Sequence, residues 1–458
     1  MPVTRTRRVV LLVAAVVAAI VVAIASVAVV LSEPRYPGPL EVELADDLLE
    51  ELQAREAEDD FLRERLGGLA ALVTDDNTLA GCTGGHDPVP SPPATVGTDP
   101  VAEVLAATEQ IRQLTLDEPV DVRLLDHTEM TERVTGFFAP RWDDERIDVE
   151  HRKLTALGAV EPDTDLLALR VDTFAAQVSG YFAGGAQEIG VRADEAPALS
   201  PLERVVLAHE FEHALTAENL GRPSTSSADA ARAAAAVVEG SAALTMVMYA
   251  ESVLTEEERE RLREELLRRA AAGGLADFSP YLRAELQFPY VEGVRYLCDV
   301  WRDGGWEAVD EVYRDPPTTT AAVLFPERHG QPPRQPASLG APPGDGWERV
   351  REIDFGAAQL TWLLAAPGGE PDAALDGPRS RAAAWGGGEL VVWSRHEATA
   401  LGLALVDRGD GPPLCDTMRT WYETAFVDGS QEVALTCDGD QVRLGIGPTA
   451  ATASAIAD

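Results

Sequence analysis

The spacing of hydrophobic residues divides this chain of 458 residues into three parts. Residues 9–31 form an unbroken apolar run, and a helix of that run would be roughly 34 Å long, enough to cross the hydrocarbon core of a membrane. From about residue 101 the apolar residues follow mainly helical spacing. From about residue 385 short strand-like runs take over, at residues 389–393, 402–406, 433–437 and 441–446.

The central part is predicted to be helical with a small sheet. A strand is expected at 120–125, and a hairpin is expected where two β-prone runs, 178–182 and 187–192, enclose a Gly-Gly turn. Ser200, Pro201 and Glu203 supply an N-cap, a first helical residue and a capping box, which predicts a helix to about residue 220. Further helices are predicted from residue 101 and at 129–138, 143–157, 228–252, 256–271, 280–286, 290–301 and 306–313.

Segments rich in proline and glycine suggest where these parts are joined, and the whole pattern predicts an α+β fold. The predicted organisation is a stub with a membrane span at 1–32, a linker with an acidic stalk helix at 33–100, a main domain at 101–330, a Pro/Gly-rich linker with a helix at 331–376, and a small β-rich domain at 377–458.

Charge and the N-terminal residues indicate where the chain works. Asp and Glu number 77 against 38 Lys and Arg, a net charge of −39, which disfavours binding to nucleic-acid phosphates. Arg5, Arg7 and Arg8 precede the apolar run and predict that the residues after Ser32 lie outside the cytoplasm. The run is longer than the apolar part of a signal peptide, which favours an uncleaved anchor; cleavage at residues 23–25 would make the protein secreted.

The four cysteines agree with an extracytoplasmic position. An even number of cysteines outside the cytoplasm permits two disulfides, with three possible pairings, and we expect at least one to form. Cys415 and Cys437 flank what the pattern predicts to be a β-meander, so we favour that pair. No two cysteines have CxxC spacing, and the sequence therefore gives no support for a thiolate zinc site or a thioredoxin-like redox site.

The helix that begins at Ser200 carries the segment His-Glu-Phe-Glu-His, residues 209–213. His209 and His213 stand one helical turn apart on one face, so both imidazoles can reach one metal ion. Glu210 is turned away by about 100° and can hold a water molecule as a general base without being a ligand. This spacing predicts a zinc site in which a water molecule attacks a carbonyl group.

Zinc hydrolases use three protein ligands, and Glu239 on the second long helix is the best third ligand. It lies on an apolar face, where a carboxylate is costly unless it is paired or binds a metal; an ion pair with Arg204 is the alternative. Tyr290 is our candidate donor to the developing oxyanion, although an ordinary core tyrosine is an equally good interpretation. Weaker alternatives are His86 and His127 as ligands and Tyr249 and His329 as donors.

This arrangement resembles the gluzincins, the thermolysin-like zinc peptidases with an HExxH helix and a glutamate on the next helix. More narrowly, it is similar to an uncharacterised bacterial group of secreted or membrane-anchored metallopeptidases. The matching stretches are residues 177–182, 199–204, 208–215, 238–240, 288–293, 304–306 and 316–320. The sequence departs from that pattern where Glu212 replaces a frequent Thr and Ser241 replaces an Asp, and the latter change removes a carboxylate near the metal.

The resemblance implies a zincin-like fold for residues 101–330, with His209, His213 and Glu239 as zinc ligands and Glu210 as the catalytic base. We therefore expect a membrane-anchored metallopeptidase that acts on peptide or protein substrates outside the cytoplasm. An alternative is a cell-surface binding or scaffold protein that keeps the peptidase fold with weak or no activity. A purely structural zinc site is the third interpretation, and it leaves Glu210 without a task.

Overall fold

The computed structural model describes Cys82 and residues 99–138, 143–193, 198–272, 278–427, 429 and 431–458. The predicted membrane anchor, the stalk helix at 42–66 and most of the linker after it lie outside these residues. The described chain has a mixed α+β fold, as the sequence predicted.

Helices dominate the described chain before residue 330, together with three strands of one small sheet. The elements are α1 (Pro100–Arg112), β1 (Asp121–Leu125), α2 (His127–Phe138), α3 (Asp144–Ala156), α4 (Leu166–Gln177), β2 (Gly180–Ala183), β3 (Glu188–Arg192), α5 (Pro201–Asn219), α6 (Ala228–Ser252), α7 (Glu256–Ala272), α8 (Pro280–Arg314) and α9 (Thr320–Leu324). The sequence analysis missed α4.

The small sheet has the strand order β1-β3-β2. Strands β2 and β3 form the predicted antiparallel hairpin, and β1 pairs in parallel with β3. Strand β2 is therefore an edge strand, and its backbone lies next to helix α5, which follows the hairpin. This contact brings an edge strand of the described sheet alongside the helix that carries the two motif histidines.

Helix α5 begins where the sequence predicted, and each predicted device is present. The Ser200 hydroxyl accepts from the Glu203 backbone N–H at 3.2 Å, and the Glu203 carboxylate accepts from the Ser200 N–H at 2.6 Å. Pro201 occupies the first turn, where its missing N–H leaves no hydrogen bond unmade. The helix ends at Leu220, followed by Gly221 with a φ of 76°. Local signals alone therefore determine the extent of this helix.

Helices α6 and α8 approach each other closely at two glycines. A Cβ on Gly240 would collide with the backbone of Gly293, and a Cβ on Gly293 would collide with the Ala236 carbonyl oxygen. The space that Gly240 leaves is therefore filled by α8. Among the described residues, only α6 is long and apolar enough to cross a membrane by length and composition, and 83% of its most apolar window is buried inside the protein.

Helix α8 joins three predicted helices into one element of 35 residues. Pro289 lies inside it without ending it, although proline removes one backbone donor and usually kinks or breaks a helix. The predicted break near residue 305 is present as a local irregularity, because Gly305 has a φ of 65° and a ψ of −159°. As a result, Tyr290 sits within a long helix and not near a helix start.

The C-terminal part is a five-stranded antiparallel sheet with helices packed on it, in the strand order β4-β5-β6-β8-β7. Its elements are β4 (Glu348–Asp354), α10 (Ala357–Ala365), α11 (Pro378–Ala382), β5 (Trp385–Arg395), β6 (Ala398–Asp407), α12 (Leu414–Ala425), β7 (Glu432–Asp438), β8 (Gln441–Gly447) and α13 (Ala450–Ala457). Three short 3₁₀ turns lie at Pro326–Arg328, Pro367–Gly369 and Pro371–Ala373. The sequence analysis missed β4, α12 and α13.

Two disulfides are present, Cys415–Cys437 and Cys82–Cys298. The first confirms the favoured pair, but it joins α12 to β7, so the expected β-meander between the two cysteines is wrong. Two disulfides are typical of a protein from an oxidising compartment.

Buried side chains of the central helices and of the C-terminal sheet belong to one hydrophobic cluster. Leu207 of α5, Val247 of α6, Leu363 of α10 and Leu444 of β8 are all members of it, and each is at most 1% exposed. The helices around the candidate site therefore pack on a continuous hydrophobic core. The proposed domain boundaries remain predictions from composition.

Candidate metal centre

Helices α5 and α6 bring the three predicted ligands to one point. His209 and His213 approach each other with their Nε2 atoms 3.1 Å apart. The Glu239 carboxylate oxygen Oε2 lies 3.4 Å from Nε2 of His209 and 3.5 Å from Nε2 of His213. The sequence interval of one helical turn places the histidines, and the packing of α6 on α5 supplies the carboxylate. These residues form a group that could hold a metal ion.

The sides of this triangle fit a tetrahedral metal ion. With metal–nitrogen and metal–oxygen distances of 2.0–2.1 Å, two ligand atoms of a tetrahedron are about 3.3 Å apart. The three measured separations, 3.1, 3.4 and 3.5 Å, scatter around that value. Two imidazoles and one carboxylate are also the donor types that zinc accepts. The residues present therefore fit a zinc ion that keeps a fourth position free.

The charges of the three ligands support one another. Although burial alone would raise it, the pKa of Glu239 is lowered well below its usual range by His213 and by hydrogen bonds from both histidines. Burial disfavours the protonated form of His213, but the neighbouring carboxylates, Glu239 first, raise the pKa of that imidazole to about 9. A cation at this point is thus stabilised, whether it is a proton or a metal ion.

Glu210 is buried beside the ligands and packs against the edge strand. A Cβ on Gly180 of β2 would lie 2.7 Å from Glu210 Oε1 and 2.9 Å from Glu210 Cγ, so a side chain here would displace this carboxylate. Burial raises the pKa of Glu210, and the two histidines only partly oppose that shift. The sequence analysis did not identify Gly180; the signal was a glycine on a strand just before the motif helix.

Tyr290 lies at the same centre. Its ring stacks on the His209 ring, with the centroids 6.3 Å apart and the planes 23° from parallel. The negative charge of Glu239, together with burial, raises the pKa of Tyr290 well above its usual value, so its hydroxyl keeps its proton and can donate. Tyr290 also packs against the main hydrophobic cluster, as a core tyrosine would.

A cleft of about 530 Å³ opens onto the three ligands. The cleft is lined by residues of strand β2, of helices α5 and α6 and of the loop between these helices. Tyr290 of α8 also lines it. Arg222, in the loop just after α5, is the one arginine or lysine among its described lining residues. A Cβ on Gly184 would lie 3.5 Å from Arg222 Nη2, which places the guanidinium near the turn of the β2–β3 hairpin.

The alternative residues from the sequence analysis lie elsewhere. Arg204 does not pair with Glu239; its guanidinium is 2.7 Å from Glu258 and donates to the Tyr249 hydroxyl at 3.3 Å. His329 contacts Tyr296 at 3.3 Å. His127 is exposed at the start of α2, and His86 lies outside the described residues. Neither His127, His329 nor Tyr249 lines the cleft.

Comparisons with protein-family models, with curated proteins and with solved structures found no match.

Proposed function

We propose that this chain is a zinc-dependent peptidase with His209, His213 and Glu239 as the metal ligands. The observation that carries the proposal is the triangle of their donor atoms, whose sides of 3.1–3.5 Å suit a tetrahedral ion. The order of the ligands, two histidines on one helix and a glutamate on the next, supports assignment to the gluzincins. When bound, zinc would act as a Lewis acid that activates a water molecule and polarises a peptide carbonyl.

Glu210 acts as the general base in this proposal. Its carboxylate lies next to both histidines, is buried, and packs against the backbone at Gly180. A carboxylate with a raised pKa is suited to accept a proton from the attacking water and to pass it to the leaving amine. Tyr290 then donates a hydrogen bond to the oxyanion that develops at the carbonyl oxygen.

The substrate is a peptide in an extended conformation. Strand β2 is paired with β3 along one edge, and its residues 180–182 line the same cleft as Glu210. An extended peptide can add to the edge of such a strand through backbone hydrogen bonds. This pairing would place the carbonyl groups of the peptide beside the metal ligands. Two disulfides and the predicted anchor at residues 9–31 support a position outside the cytoplasm, attached to the membrane.

The experiment compares zinc content with peptide cleavage for the wild type and for Glu210→Gln. Glutamine keeps the shape of the side chain but cannot accept the proton, so zinc content should not change. Hydrolysis of a peptide library should fall by about two to four orders of magnitude.

Other results would contradict the proposal. Full zinc content without cleavage in the wild type would favour a binding or scaffold protein with a peptidase fold. Cleavage that is equal in the wild type and in Glu210→Gln would mean that Glu210 is not the base. A wild-type protein that binds no zinc would remove the proposed function altogether.

A further inference from the structure

The carboxylate of Glu212, also in the motif helix, is fully buried and its two oxygens have different surroundings. Oxygen Oε1 accepts from Arg112 Nε at 3.3 Å and from the Ser241 hydroxyl. Oxygen Oε2 has no hydrogen-bond partner among the described residues, and it lies 3.9 Å from Nδ1 of the ligand His213. Oxygen Oε1 is thus held by hydrogen bonds, and Oε2 lies near the Nδ1 side of the His213 ring.

Arg112 holds this carboxylate from behind. The guanidinium is fully buried, stacks over Trp306 with its Cζ atom 4.4 Å from the ring centroid, and is 2.6 Å from Asp310 Oδ1. Two carboxylates therefore flank one buried cation, and only one of them, Glu212, also approaches a metal ligand. Arg112 thus supplies the charged partner that a buried carboxylate requires, because a buried carboxylate without one is costly.

We propose that Glu212 is a positioning residue that accepts the Nδ1–H of His213 and so keeps the lone pair on Nε2, towards the metal ion. This inference rests on the proposed function. A neutral imidazole has one N–H, and a carboxylate at Nδ1 fixes which nitrogen carries it. Closing the 3.9 Å separation to a hydrogen bond requires a movement of about 1 Å, since such bonds are 2.7–3.2 Å long. His209 has no equivalent support, because its Nδ1 is buried without a partner among the described residues.

A merely structural role would explain the same contacts, since the Arg112–Glu212 pair also joins α1 to α5. Two variants separate these roles. Glu212→Gln keeps a side chain of the same length but can turn an N–H₂ group towards Nδ1. Asp310→Asn removes the other carboxylate on Arg112 and touches neither histidine. Zinc affinity is measured for each by competition with a chromophoric chelator, beside thermal unfolding of the metal-free protein.

We expect Glu212→Gln to weaken zinc binding by about 10- to 100-fold, the usual effect of losing a ligand's supporting residue. Asp310→Asn should lower the unfolding temperature and leave zinc affinity unchanged. Equal losses of zinc affinity in the two variants, or no loss in Glu212→Gln, would overturn the proposal. If the wild type itself binds no zinc, it is the proposed function that has failed.

A measurement on the wild type decides the question even if Glu212→Gln does not fold. In protein labelled with ¹⁵N-histidine and loaded with zinc, the Nδ1–H of His213 should be shifted downfield and protected from exchange with water. His209 is the internal control, and its Nδ1–H should lack the downfield shift. Two Nδ1–H signals with the same shift, or a His213 ring protonated on Nε2, would contradict the role of Glu212.

Discussion

Gly180 of β2 and Glu210 of α5 are in contact, and a side chain at position 180 would have to displace its neighbours. A Cβ at that position would lie 2.7 Å from the Glu210 carboxylate oxygen and 2.7 Å from Val206 Cγ1. The edge strand therefore forms one wall of the space in which the proposed base lies. A substrate paired with this strand would be held at a fixed distance from that base.

Gly180→Ala should displace the Glu210 carboxylate and leave the zinc ligands in place. We expect peptide cleavage to fall by about 10²-fold with zinc content unchanged, because a shift of about 1 Å in a reacting group has costs of this size. Gly185→Ala in the turn of the same hairpin is the matched control, since no atom lies within 4 Å of its added Cβ. Equal activity of the two variants would show that Glu210 does not depend on this wall.

Removal of Glu239 should remove metal and activity together. In Glu239→Ala the site keeps two imidazoles and loses the carboxylate that stabilises a cation there, so zinc affinity should fall by more than the roughly 10- to 100-fold typical of a supporting residue. Glu258→Ala is the control, because Glu258 pairs with Arg204 away from the cleft. Full zinc content and full activity in Glu239→Ala would refute both the third ligand and the gluzincin assignment.

Zinc affinity should depend on pH through His213. In the metal-free protein the neighbouring carboxylates raise the pKa of this imidazole to about 9, and only its neutral form can bind zinc. The proton competes with the metal below that pKa, so affinity should rise by about tenfold per pH unit from pH 7 towards 9 and then level off. Titration in chelator-buffered zinc measures this slope. Affinity that is constant over this interval would mean that His213 does not bind the metal.

Arg222 should select substrates with an acidic side chain at a distance from the scissile bond. Its guanidinium is close to Gly184, four residues along the chain from Gly180, or about 13 Å at the rise of a strand. Peptides with a glutamate about four residues from the cleaved bond should be hydrolysed faster than matched glutamine peptides, and Arg222→Gln should abolish that preference. Salt should weaken the preference, since the contact is exposed. No glutamate preference in the wild type would contradict this role.

The site was predictable where local chemistry determines it. The capping residues fixed the start of α5, and the interval between His209 and His213 fixed a shared face. Contacts between distant segments were not predictable in the same way: Gly240 could face either neighbouring helix, and only packing with Gly293 decides in favour of α8. A signal for the Arg112 ion pair did exist, because this cation lies on a face of α1 that is otherwise buried and mainly apolar.

Helix α8 and the C-terminal sheet show a second limit. Proline normally argues for a helix end, but Pro289 is tolerated because the rest of α8 is held by its packing on α6. In the C-terminal part, the β-runs indicated β5 to β8, whereas β4 gave no usable signal. Strand β4 has an exposed, charged pattern, and its pairing with β5 is what makes it a strand.

The disulfide between Cys82 and Cys298 would keep the chain in one piece after a proteolytic cut between these two residues. Helices α5 and α6, which carry the three proposed ligands, both lie between these two cysteines. The loop that joins the two helices, around Arg222, is exposed. A nick in that loop would separate the two histidines from Glu239 along the chain, but each fragment would keep one half of the bridge. The nicked protein should therefore migrate as one species without a reducing agent and as two with it.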